Sequence, residues 1–263
     1  MLRVGACLSL TGPYARFGRQ AAWGLEAWRR LTGRADLAVE DDRGDPAVVA
    51  AAIRALAGRC DLLLGPYSTG LTRAAVRALE GVDALLWNHG GAGDSVQAAP
   101  AGRVVSVLTP AGRYAEPLVA LLAGRAERGP LVVAGGRGGF GRRVAAGAEA
   151  AARRLGLTVH HRPAPEPPDL SDLSGPAGAA GAPWDLLCAG SFEEDVEAVA
   201  RARALPHPPR TLCAVAAGVR EFDAAASGAG DVLGIAQWLP GAAAAAEVGP
   251  AETDFLAAYA AGC

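Results

Sequence analysis

Short apolar runs alternate with stretches of helical period along the whole chain. Runs near 3–9, 36–40, 61–65, 83–87, 103–107, 130–134, 157–161, 184–190, 210–215 and 231–236 have the length and bounding turn residues of buried strands. Between them, Ala21, Leu25, Trp28 and Leu31 share one helical face while Arg19, Glu26, Arg29 and Arg30 fall elsewhere. Leu71, Ala74, Ala75, Ala78 and Leu79 repeat that pattern, as do Val144, Ala148, Ala151, Ala152 and Leu155. Asp45-Pro46 reads as a helix start, with Asp as N-cap and Pro where a missing N–H costs nothing. The alternation predicts an α/β fold of parallel sheets built from βαβ units. Ten strands are too many for one five-stranded sheet and suit two.

Two breaks divide this series. Thr109-Pro110-Ala111-Gly112 follows the fifth strand and Leu239-Pro240-Gly241 the tenth. The expected organisation is a first lobe over 1–109, a second over 110–239, and a segment over 240–263 that returns to the first. Arg162 to Pro183, rich in Pro, Gly and Ala, reads as a surface loop with room for one short helix. No solenoid repeat is present.

Composition narrows the partners. The chain has 263 residues, 51% hydrophobic and 20% charged, enough to bury the cores of two compact units. Its formal net charge is -2 and its Lys and Arg are scattered, so neither a nucleic-acid backbone nor an anionic membrane meets a basic footprint. A small molecule or a protein is the expected partner. Cys7, Cys60, Cys188, Cys213 and Cys263 show neither C-x-x-C nor metal-ligand spacing, and those inside apolar runs read as small hydrophobes. No apolar run approaches the ~20 residues that span a bilayer, so no stable membrane insertion is expected. Met1 stands almost directly before the first strand, which fits a cytoplasmic chain or one whose export signal was removed and Met1 added.

The candidate chemistry sits at strand ends. Val4 to Gly18 and Leu62 to Thr72 each run from a strand through a Gly-Pro turn into a helix. In open α/β sheets, ligands bind beyond the carboxyl ends of the strands, where helix N-termini present unpaired N–H groups. Ser68 and Thr69 occupy such a turn and can meet an anion there, or simply cap the helix. Gly90, Gly91 and Gly93 let backbone approach a ligand closely, or form an ordinary turn. Enzyme signals are thinner. Gly135 to Gly141 contains G-x-G-x-x-G, but the next strand ends in His160-His161-Arg162 without an acid for a ribose, which leaves only an NADP reading through Arg162. Gly65 to Gly70 has P-loop glycine spacing but Leu71 and Thr72 in place of Lys and Ser/Thr. There is no G-x-S-x-G elbow, and the histidines lack metal spacing.

Taken in order, TGPYARFG, EDDRGDPA (40–47), LGPYSTGLT (64–72), NHGGAG (88–93) and GGFGRRVAAGAEAAARRLG (138–156) resemble the branched-chain amino-acid branch of the type I periplasmic binding proteins. The resemblance implies two Rossmann-like lobes joined by hinge strands, closing on a small ligand in the cleft between them, which an ABC transporter permease then receives. It implies no cofactor, no metal and no catalysis, and an extracytoplasmic location. By the same resemblance, a hydroxyl at Ser68 or Thr69 and the loop His89, Gly90, Gly91, Ala92 hold the ligand's carboxylate, with Ala92 standing where the family often has a hydroxyl. Tyr14, Phe17, Tyr67 and Phe140 match aromatic wall positions, and Phe192 and Trp238 are further candidates. The family's acid for a ligand amine aligns with Ala216 or Ala217, so Glu193 is the substitute, or else the ligand lacks an amine. Asp254 to Cys263 looks like a first return helix, the family's members being longer. A cytoplasmic sensor of the same fold, similar to amide-sensing regulators, and an NADP-dependent enzyme are the alternatives.

Overall fold

The computed structural model describes residues 1–98, 102–162, 183–219, 221–228, 230–242 and 246–262. The chain divides into two compact units, Met1–Leu108 with Trp238–Cys263, and Thr109–Gln237. The first unit begins β1 (Leu2–Leu8), α1 (Ala15–Thr32), β2 (Ala35–Asp41), α2 (Pro46–Ala57), β3 (Leu62–Leu64), α3 (Thr69–Ala78), β4 (Leu86–Asn88), α4 (Asp94–Gln97) and β5 (Val104–Ser106). The second holds α5 (Glu116–Ala123), β6 (Leu131–Gly135), α6 (Gly139–Arg154), β7 (Val159–Arg162), β8 (Asp185–Ala189), α7 (Phe192–Arg203), β9 (Thr211–Ala214), α8 (Glu221–Ala225) and β10 (Val232–Gly234). A last helix, α9 (Glu252–Gly262), packs on α1, with Phe255 and Tyr259 beside Gly24.

The two sheets have the same topology. Strand order is β2-β1-β3-β4-β5 in the first unit and β7-β6-β8-β9-β10 in the second, and every pair is parallel. The order turns back on itself once in each sheet, between β1 and β3 and between β6 and β8. At these switch points the connections leave in opposite directions and open a crevice at the strands' carboxyl ends.

Packing follows from the apolar runs. Strands β6 and β8 are buried along their whole length, as strands covered on both faces must be, and they read as continuous apolar runs. One face of the second sheet, with Val132, Leu186, Cys188 and Leu212, packs under Ala198, Val199 and Ala202 of α7 and Phe222 of α8. In the first unit, Cys7, Leu63 and Leu86 lie against Val49, Ile53 and Leu56 of α2 and Leu71, Ala75 and Ala78 of α3. Cys7, Cys60, Cys188 and Cys213 are free thiols, and burial pushes Cys7 and Cys213 up to about 12.

The strands lie within three residues of their expected places, the largest displacement being β4, expected from 83 and starting at Leu86. Asp45 caps α2 as its residue type predicts, accepting from the N–H groups of Ala47 at 2.6 Å and Val48 at 3.2 Å. Leu31 and Leu155, expected on buried faces, are exposed; both stand at the C-terminal ends of their helices. The stretch expected to be a loop, 163–182, lies outside the described residues, as does Cys263.

At the strands' amino ends, one buried charge organises the second unit. Asp185, at the start of β8, receives Nη1 of Arg125 at 2.9 Å and Nη2 of Arg210 at 2.7 Å. Arg125 also donates to the Thr211 hydroxyl at 2.7 Å, so the group ties α5's end to β8 and β9. Removing one partner of such a buried pair strands the others. Asp185→Ala is therefore expected to lower unfolding free energy by roughly 3 kcal/mol, read as a shift of the denaturant midpoint, while a change within ±0.5 kcal/mol would show the pair to be idle.

Candidate functional site

In the first unit the switch point lies between β1 and β3, and two adjacent carboxylates fix its loops. Asp42 is buried and accepts from the Ser9 hydroxyl at 2.6 Å and the Gly44 N–H at 2.8 Å. Asp41 accepts from the N–H groups of Leu10, Thr11 and Arg43 and from the Thr11 hydroxyl at 2.6 Å. Burial works against the Asp41 charge, but these hydrogen bonds outweigh it and hold the carboxyl below its ordinary range. The loop so fixed carries Tyr14 and Phe17. Phe17 stacks on Tyr67 from the β3 loop, with ring centroids 4.2 Å apart and planes 7° apart, and Tyr14 lies 5.9 Å from the same ring. Three of the aromatic residues singled out in the sequence thus form one cluster.

Beside this cluster α3 begins. Ser68 has φ of 84°, a conformation costly for any residue but glycine, and its hydroxyl oxygen caps the helix by accepting from the Leu71 N–H at 3.3 Å. Its own N–H donates to the Gly90 carbonyl at 3.1 Å. The Thr69 hydroxyl oxygen accepts from the Gly93 N–H at 3.0 Å. These two bonds clasp the segment 89–93 to the helix N-terminus. The close approach requires glycine, because a Cβ on Gly93 would stand 2.3 Å from Thr69 Cγ2 and one on Gly91 2.5 Å from Thr72 Oγ1. Ala92 is buried within the clasp.

Asn88, at the end of β4, holds the loop from below. Its amide donates to the Gly91 carbonyl at 3.0 Å and to Ser106 Oγ at 2.8 Å, and its carbonyl accepts from the Gly91 N–H at 2.8 Å. The sequence reading missed Asn88, Asp41 and Asp42; the signal was there, a polar residue closing an apolar run. Among the described residues, the N–H groups of Thr69, Gly70 and Ala92 donate to no other group. The Thr69 hydroxyl accepts from Gly93 and still has its own proton to give. His89 lies in the same segment, and burial lowers its imidazole below the ordinary value. What this arrangement can do is bind an anion, since its unspent groups are donors at a helix's positive end.

The second unit's switch point, between β6 and β8, is built differently. The glycine motif there serves packing: a Cβ on Gly136 would lie 2.4 Å from Gly190 Cα, and one on Gly141 2.2 Å from the Ala189 carbonyl. Glu194 completes a capping box with Ser191 and receives Nε of Arg137 at 2.7 Å. Glu193 is exposed and accepts from the Ser191 hydroxyl at 3.1 Å. Phe140 meets Tyr114 edge to face at 5.2 Å. Phe192 packs against the core and meets Phe222 edge to face at 5.8 Å, so much of its surface is spent on packing. Ala216 and Ala217 lie in a 3-10 turn over Val215–Gly218 that packs on the core. The buried acid nearest them in the chain's fold is Asp195, accepting from the N–H groups of Gly190 at 2.7 Å and Ala216 at 2.9 Å. Among the described residues no cluster suits a metal ion, and no helix is long and apolar enough to cross a membrane.

Two α/β units of one topology, each raising helix N-termini at the switch point of a parallel sheet, have the architecture of type I solute-binding proteins. The chain belongs to the family described as Periplasmic binding protein, which it matches over residues 1–262. It is similar in fold to the branched-chain amino acid substrate-binding protein of Streptococcus pneumoniae in complex with isoleucine, at 15% identity and TM-score 0.73, covering 99% of this chain and 77% of that one. A Rhodopseudomonas palustris solute-binding protein in complex with 4-hydroxybenzoate gives 14% identity and TM-score 0.72, covering 99% and 73%. With an ABC transporter substrate-binding protein from Sphaerobacter thermophilus the values are 17% and 0.68, over 79% of this chain and 62% of that one. No curated protein matches the chain.

Burial pushes the Asp195 carboxyl up to about 6, against the backbone hydrogen bonds it accepts, which favour the charge. The folded state then holds this proton more tightly than the unfolded chain does. The resulting contribution to stability is full below pH about 4 and is lost as pH rises through about 6. Denaturant titrations at pH 4, 5, 6 and 7 are expected to show this loss superposed on the other carboxylates' opposite trend. In Asp195→Asn it should vanish, and identical pH profiles for the two proteins would refute the assignment.

Proposed function

We propose that this chain is the solute-binding component of an ABC importer, working outside the cytoplasm, taking up a small carboxylate-bearing solute and presenting it to a membrane permease without chemical change. The observation that carries this reading is the set of unspent donors in the first unit: the Thr69 hydroxyl proton and the N–H groups of Thr69, Gly70 and Ala92. A carboxylate has the charge and the lone pairs to take all of them. Ser68, Gly90 and Gly91 hold that backbone in place, and His89 lies in the same segment. Tyr14, Phe17 and Tyr67 offer an apolar wall for the rest of the solute. Phe140 and Phe192 are the second unit's candidates for apolar contact, and Glu193 its candidate partner for an ammonium.

The family membership supports a role in binding over one in catalysis, and the fold relatives' ligands suggest the chemical range, an aliphatic amino acid or an aromatic acid. A solute that binds only the folded state raises its apparent stability by mass action. Thermal-shift screening with isoleucine and 4-hydroxybenzoate is therefore the first test, followed by calorimetry on whichever binds. Thr69→Ala is expected to weaken that binding by about 1–3 kcal/mol, the cost of leaving a charged acceptor one donor short. The fold should persist, because Ser68 still caps α3. Unchanged affinity would remove the anchor, and no shift with either acid would remove the carboxylate reading.

A further inference from the structure

We infer that the solute is a carboxylic acid with no ammonium group beside its carboxylate, and not an α-amino acid. The inference rests on the carboxylate reading above and deepens it by naming the solute class. An α-ammonium stands one carbon from its carboxylate, so a first unit that grips the one must also accommodate the other. Where the open donors lie, the neighbouring acceptors are taken. The Gly90 carbonyl receives the Ser68 N–H, the Gly91 carbonyl the Asn88 amide, and the carbonyls of Pro66 and Ser68 the Thr72 hydroxyl. The start of α3 adds the positive end of a helix, which favours an anion and repels a cation.

Among the described residues, the buried and half-buried acids at the strands' carboxyl ends are committed elsewhere. In the first unit Asp41 and Asp42 hold the loops after β1 and β2, Asp45 caps α2 through the N–H groups of Ala47 and Val48, and Asp94 is likewise not free. In the second, Glu194 receives Arg137 and the Ser191 N–H, and buried Asp195 takes the N–H groups of Gly190 and Ala216. Turning any of these toward an ammonium strands the donors it now satisfies. Glu193, Glu221 and Asp223, in the first turns of α7 and α8, are exposed, and a charge pair made in water gains little. A desolvated ammonium without a carboxylate partner carries a cost that the same acid lacking the amine avoids.

The test compares matched pairs by calorimetry at neutral pH: isoleucine with 3-methylpentanoate and phenylalanine with 3-phenylpropanoate, plus 4-hydroxybenzoate as a further acid without an ammonium. Under these conditions every carboxylate is ionised and both amino acids carry their ammonium. In whichever pair binds, the acid without the amine is expected to bind about tenfold or more tightly than its amino acid. Binding of 4-hydroxybenzoate with none by either amino acid is the other supporting result. A smaller preference within a pair, or a preference for the amino acid, overturns the inference and leaves the carboxylate reading intact. If none of the five binds, that reading fails first and this inference with it.

Discussion

The reversal of strand order in each sheet is the constraint from which the rest of the structure follows. A parallel sheet needs a helical crossover between successive strands, and right-handed crossovers place the helices on one face until the order reverses. With order β2-β1-β3-β4-β5, α1 serves one side of β1 and α2 and α3 the other. The loops leaving β1 and β3 therefore part company. Between them stand the first turn of α3 and the aromatic rings of Tyr14, Phe17 and Tyr67. The site is a by-product of topology before it is a matter of side chains.

Topology leaves donors; side chains decide which remain open. At α3, Ser68 takes the Leu71 N–H and Gly93 takes up the Thr69 oxygen, so the helix is capped without using the N–H groups of Thr69 and Gly70. Holding this geometry costs something: Ser68 sits at φ of 84° where glycine would be at ease. Strain of this kind persists only where surrounding contacts over-determine it, and the Ser68–Gly90 and Thr69–Gly93 bonds do so. Gly91 and Gly93 then have a steric cause, since each faces a threonine side chain that a Cβ would strike.

Much of the fold was legible because it rests on local signals. Continuous runs such as LVVAG in β6 and DLLCA in β8, the Asp45-Pro46 start of α2 and the Ala-rich faces of α3 and α6 each carry their own reason. Leu31 and Leu155 misled because periodicity assigns a face without saying where along a helix burial stops. At the site, Tyr14, Phe17 and Tyr67 were legible as aromatic residues at strand ends, but their stacking was not, because it joins two loops separated by some fifty residues in sequence. Asn88, Asp41 and Asp42 were passed over because a single polar residue ending an apolar run looks like the start of a turn; only the pairing of β4 with its loop shows what Asn88 holds. Gly135 to Gly141 looked like a dinucleotide fingerprint, and its glycines prove to have a cause in the contact of the β6 loop with the end of β8.

The crests of the two units differ in what they leave unspent, and that difference bears on ligand charge. Asp41 and Asp42 in the first unit, and Glu194 and Asp195 in the second, are each consumed by N–H groups or an arginine of their own unit. A buried carboxylate so engaged has little left for a cation, because recruiting it would strand the backbone donors it now satisfies. The N–H groups at the start of α3 face no such competition. An anionic group therefore meets donors in the first unit that cost nothing to recruit, whereas in the second unit Glu193 is exposed and lightly held by the Ser191 hydroxyl. Exposure keeps that carboxylate in water, where a charge pair gains little. On the proposed function, the main grip on the solute falls at its carboxylate.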